Sequence, residues 1–147
     1  MFKRILVAVD GSHTADQALE QAIKLAKELQ GQLRIVHVVD VVNIMGVEFI
    51  DSTEFSGAIT KSGQEILNKA EAVARQAEIP VETRLIVIDS LGYRIPEMIA
   101  ADAETWSADL IVIGTHGRRG LSRLFLGSVA EGVIRVATKQ VLLIRGK

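Results

Sequence analysis

Five short apolar runs, separated by stretches with helical periodicity, constrain this chain more than any other feature. The runs are Ile5–Val9, Leu33–Val39, Thr83–Ile88, Leu110–Ile113 and Val141–Ile144. They are rich in Val, Ile and Leu and mostly continuous rather than alternating, which marks parallel strands covered on both faces. Four helical patterns lie between them. The first follows Ser12 or Thr14, either of which can cap it, and carries Ala15, Ala18, Leu19, Ala22, Ile23, Ala26 and Leu29 up to a stop at Gly31. The second spans roughly 58–77, with Ile66, Leu67, Ala70, Val73, Ala74 and Ala77 as its stripe. The third starts near Pro96, a favoured first helical position, and turns Ile95, Met98, Ile99, Ala103 and Trp106 to the sheet. The fourth starts at Ser128 and carries Val129, Val133, Ile134 and Ala137. The order βαβαβαβαβ predicts an α/β fold: one open, doubly wound, five-stranded parallel sheet with helices on both faces, spanning residues 1–147 as one domain.

Composition excludes several classes of function. The chain has 147 residues and no cysteine, which removes disulfides, thiolate metal sites and cysteine nucleophiles. Seventeen basic and eighteen acidic residues leave a net charge of -1, so nothing draws the chain generally to nucleic acid or anionic lipid. Aromatic residues at 4% argue against base-stacking platforms. No apolar stretch approaches the ~18 residues of a membrane span, and the first run is too short for a signal-peptide core. A cytoplasmic location without membrane insertion is the expectation. The connection 41–57 reads either as a flap or contact surface, or as an ordinary packed excursion.

In open α/β sheets, ligands sit beyond the carboxyl ends of the strands, where strand order reverses. The residues just after each run are therefore the informative ones: Asp10-Gly11-Ser12, Asp40, Asp89-Ser90, and the connection that opens at Gly114. Gly114, Gly117, Gly120 and Gly127 all lie in that last connection, which ends at the start of a helix. Glycines let backbone N–H groups approach a ligand closely. A helix start offers unpaired N–H groups and the positive end of its dipole to an anion. Ser128 adds a hydroxyl. The pattern predicts a phosphate site. It is not a P-loop, because no lysine stands between Gly127 and Ser128, and it is not the G-x-G-x-x-G dinucleotide fingerprint. Arg118, Arg119 and Arg123 read equally as phosphate contacts or as a solvated basic loop. His37, in an apolar run, reads as a core histidine.

Gly114-x-x-Gly117, nine residues, then Gly127-Ser128 matches the G-2x-G-9x-G-(S/T) pattern of ATP-binding universal stress proteins. Ile5–Ser12, His37–Val39 and Ala108–Gly114 resemble that family's first, second and fourth strands, and the likeness covers essentially the whole chain. The resemblance implies strand order 3-2-1-4-5, which sets Asp10 and the glycine connection on one crevice. It implies ATP with Mg²⁺ as ligand. Asp10 would meet the ribose or a metal-linked phosphate, the Val38 backbone the adenine edge, and Ala8 and Ile113 the base. Gly114 would lie near the ribose, and Gly117, Gly127, Ser128 and Val129 would hold phosphates. It further implies homodimers through strand 141–145, and a transporter or signalling protein as the class of partner. Lys139-Gln140 departs from the proline often found before that strand. A regulatory, non-enzymatic ATP-binding module is the expectation. The alternatives are a receiver-like phospho-acceptor domain, built on Asp10, Asp89, Thr115 and Lys147, and a slow ATP hydrolase or phosphotransferase.

Overall fold

The computed structural model describes residues 2–46, 53–116 and 126–146. Its elements run β1 (Arg4–Ala8), α1 (His13–Glu28), β2 (Gln32–Asp40), α2 (Val41–Met45), α3 (Thr53–Arg75), β3 (Val81–Ile88), α4 (Ile95–Trp106), β4 (Leu110–Gly114), α5 (Ser128–Val136) and β5 (Gln140–Ile144). The strands form a parallel sheet in the order β3-β2-β1-β4-β5. Both the five strands and their order match the sequence expectation.

Alternation along the strands divides the core into two layers. Ile5, Val7, Leu33, Ile35, Leu110 and Val112 pack on one face with Ala15, Ala18, Leu19, Ala22 and Ala26 of α1 and Leu67, Ala70 and Ala74 of α3. Leu6, Val36, Ile111 and Ile113 pack on the other with Ile99, Ala103 and Trp106 of α4 and Ala130 and Val133 of α5. Burial on both faces explains the apolar runs of the inner strands β1, β2 and β4, whereas the edge strands β3 and β5 leave part of one face exposed. Right-handed crossovers that move first toward β3 and then toward β5 must place their helices on opposite faces.

Local chemistry sets the helix starts. Ser12, not Thr14, caps α1: its Oγ accepts the Ala15 N–H at 3.1 Å. Pro96 sits in the first turn of α4. Asp40 accepts the Asn43 N–H at 3.2 Å and so opens α2, a short helix that the apolar spacing of 41–45 did not announce. Residues 47–52 of the 41–57 segment lie outside the described residues. From Thr53 the chain is already helical, five residues before the expected start. Two residues assigned to buried stripes are exposed instead, Val73 at 49% and Ile134 at 46%. In α3 the buried row Leu67, Ala70 and Ala74, with Ile66 beside it, packs on the sheet, while Val73 faces solvent.

Candidate functional site

Because the order reverses between β1 and β4, their carboxyl ends flank a crevice at the switch point. Ala8 and Ile113, which the resemblance sets along the base, and Val38, whose backbone it sets at the adenine edge, all pack with the α4–α5 layer. They therefore share one face at the carboxyl ends of three adjacent strands. Asp10 lies just past β1, where its Oδ1 accepts the Ser12 N–H at 2.9 Å. One carboxylate oxygen thus fixes the turn into α1.

Gly114 closes β4 opposite Ile144. A Cβ there would stand 2.7 Å from Thr14 Cγ2, so the missing side chain lets the first turn of α1 rest on β4. Gly127 has an ordinary extended backbone, with φ -64 and ψ 153. Its requirement is space: a Cβ would stand 2.8 Å from the Thr115 carbonyl oxygen. The same approach lets the Gly127 N–H donate to that oxygen at 2.6 Å. The Gly127 N–H, named from sequence as a phosphate contact, is spent here on the protein. The Gly127 carbonyl accepts the Glu131 N–H at 2.9 Å and begins α5. The N–H groups of Ser128, Val129 and Ala130 form the first turn, where a helix has no internal partner for them. No side chain caps this end. Ser128 and Val129, both predicted phosphate contacts, thus present their amides at the end where the dipole favours an anion. Gly117, Arg118, Arg119 and Arg123 lie outside the described residues.

Two further groups border the crevice. Thr115 is buried, and its Oγ1 lies 3.0 Å from His116 Nδ1. On the opposite face, His37 is buried as expected of a core histidine, with Nδ1 2.6 Å from the Val9 carbonyl oxygen. A carbonyl only accepts, so Nδ1 carries the proton. Asp89, which a receiver-like site needs beside Asp10, follows β3 and is separated from β1 by the whole of β2.

A model of the universal stress protein family matches residues 1–145. The chain belongs to that family. A universal stress protein of Methanocaldococcus jannaschii is 36% identical over 146 residues, which are 99% of this chain and 83% of that one. Among solved structures, the hypothetical protein MJ0577 superposes with a TM-score of 0.86 at 28% identity, covering 100% of this chain and 98% of that one. A universal stress protein from Archaeoglobus fulgidus in complex with dAMP gives a TM-score of 0.69 at 28% identity, covering 98% and 99%.

One polar cluster of this universal stress protein escaped the sequence reading. Asp102 of α4 takes Arg34 Nε at 2.8 Å and Nη2 at 3.0 Å, and lies 3.3 Å from Arg84 Nε. Arg34 also reaches Glu82 at 2.6 Å. Burial alone would lower the Arg34 pKa, but the hydrogen bonds and charges of Asp102 and Glu82 raise it on balance. Arg4 and Arg34 both lie over the Trp106 ring, at 4.3 and 5.7 Å from its centre. Positions 34, 82 and 102 have no sequence spacing that announces this contact. The only signal is an arginine inside an apolar strand.

Proposed function

We propose that this protein is a regulatory ATP-binding universal stress protein, which takes the nucleotide with Mg²⁺ and responds by changing its assembly or a partner's activity. The observation that carries this reading is the amide cluster of Ser128, Val129 and Ala130 at the start of α5, which has no side-chain cap and is tied by the Gly127–Thr115 hydrogen bond to the carboxyl end of β4. A relative of the same fold in complex with dAMP supports a nucleotide as the ligand. Mg²⁺ typically binds one or two carboxylates together with substrate phosphates, and Asp10 is the carboxylate that this reading assigns. The protein acts as a sensor and not as an enzyme, in the cytoplasm, with a transporter or signalling protein as its partner class. Among the described residues no helix is long and apolar enough to cross a membrane.

Mass spectrometry of the purified protein is expected to find adenine nucleotide, and calorimetry on the stripped protein is expected to register ATP binding. Absence of both would overturn the reading. Rapid Mg²⁺-dependent turnover, abolished by Asp10→Ala, would make the protein an enzyme instead.

Assembly is proposed through β5, an edge strand. Leu142 of β5 is 39% exposed, and Ile134 and Val136 of α5 are exposed as well. Pairing two such edges buries apolar surface and satisfies edge backbone groups. Leu142→Lys is the clean test, because Ile144 packs into the core and its replacement would also damage the fold. The variant is expected to sediment as a monomer at concentrations where the wild type is dimeric. An unchanged sedimentation coefficient would remove β5 from the interface.

A further inference from the structure

Arg145, directly after β5, is a cation at the carboxyl end of the sheet to which the nucleotide reading gives no task. Its direction follows from its neighbours. Ile144 packs with the α1 layer. Gly146 also faces α1, since a Cβ there would stand 2.6 Å from Thr14 Oγ1. Alternation turns the residue between them to the opposite face, where Leu143 already packs beside α4 and α5. The backbone here is tied to the phosphate end of the crevice. The Ile144 carbonyl accepts the Thr115 N–H at 2.9 Å, and the Thr115 carbonyl accepts the Gly127 N–H at 2.6 Å. Arg145 thus stands beside the segment that opens α5. It is exposed, and makes no ion pair among the described residues. Glu131, the acid in the first turn of α5, is engaged with Arg135 at 2.9 Å.

Strand order gives this position a meaning in length. From β2 through β1 and β4 to β5 there are three strand spacings, or about 14 Å. On the nucleotide reading, a base at Val38 and a ribose over β1 and β4 would send the first phosphate toward α5, and only the phosphates beyond it would reach β5. We propose that Arg145 gauges the length of the phosphate chain, pairing with the terminal phosphate of a nucleoside triphosphate and so favouring ATP over AMP. The inference rests on the nucleotide reading above and adds the residue that sets its specificity. A guanidinium matches phosphate oxygens in a two-pronged geometry that a lysine ammonium cannot reproduce.

The test is calorimetry of the stripped protein with ATP and with AMP, for wild type, Arg145→Ala and Arg145→Lys. Wild type is expected to prefer ATP. Arg145→Ala is expected to lose about tenfold in ATP affinity, with AMP affinity unchanged within about twofold. Arg145→Lys is expected to fall between, and the preference should shrink in high salt because the charge is exposed. An ATP-to-AMP ratio unaltered by Arg145→Ala, or equal affinities in the wild type, would overturn the proposal while leaving nucleotide binding intact. A wild type that binds neither nucleotide would instead remove the reading on which it rests.

Discussion

Asp102→Ala is expected to cost about 3–5 kcal/mol of folding stability, the range for removing one partner of a buried ion pair. The Asp102 side chain is 3% exposed and that of Arg34 13%. Asp102 grips Arg34 with both oxygens, at 2.8 and 3.0 Å. Without it Arg34 keeps only Glu82, a half-exposed carboxylate at the edge of the sheet, and stays charged because a guanidinium does not give up its proton in a protein. The guanidinium must then stay in place with two of its three hydrogen bonds unmade, or swing out and leave the Trp106 ring without its second cation. Urea titration is expected to show a lower midpoint at unchanged slope. The double variant Arg34→Met/Asp102→Leu should recover most of the loss, because it removes both charges from the low-dielectric layer. A loss below about 1 kcal/mol for Asp102→Ala would show that water already screens the pair. Nucleotide binding should survive, since Arg4 opens β1 and Arg34 pairs with Leu6, away from the carboxyl ends.

The strands were legible because sheet burial on both faces writes itself directly as unbroken Val, Ile and Leu. Their arrangement was legible only through the resemblance carried by Gly114, Gly117, Gly127 and Ser128, since periodicity alone does not order strands. What sequence could not show was the identity of neighbours created by the topology. Arg34, Glu82 and Asp102 meet because β2, β3 and α4 are folded together, and no local pattern encodes such a meeting. Val73 and Ile134 fit a helical stripe as well as their buried neighbours do. Their exposure is set by which part of each stripe meets the rest of the fold, which is a property of packing. The site shows the same division. That a glycine was required at position 127 could be read from the motif, but its reason could not. Conformational freedom is the general argument for glycine in a loop, yet this residue has a φ of -64, open to any side chain.

Gly127→Val converts that reason into the largest expected effect on binding. Valine tolerates the local backbone angles, so the damage comes from crowding alone. Its Cβ would begin 2.8 Å from the Thr115 carbonyl oxygen and 3.4 Å from His116 Cα, and both neighbours are backbone atoms that cannot rotate away. Relief requires the two segments to part, which breaks the 2.6 Å bond from Gly127 N–H to Thr115 and moves the start of α5. The amides of Ser128, Val129 and Ala130 then lose their fixed aim, and an anion site depends on fixed donors rather than on their number. ATP affinity is expected to fall at least about 100-fold, or ~2.7 kcal/mol, with about 1–3 kcal/mol of stability lost to overpacking. Ser128→Ala, which removes a hydroxyl and leaves the amides in place, should cost no more than about tenfold. Calorimetry separates the two, and circular dichroism with a melting curve shows that the valine variant is folded when measured. A folded valine variant that bound ATP as tightly as wild type would place the phosphates elsewhere than the start of α5.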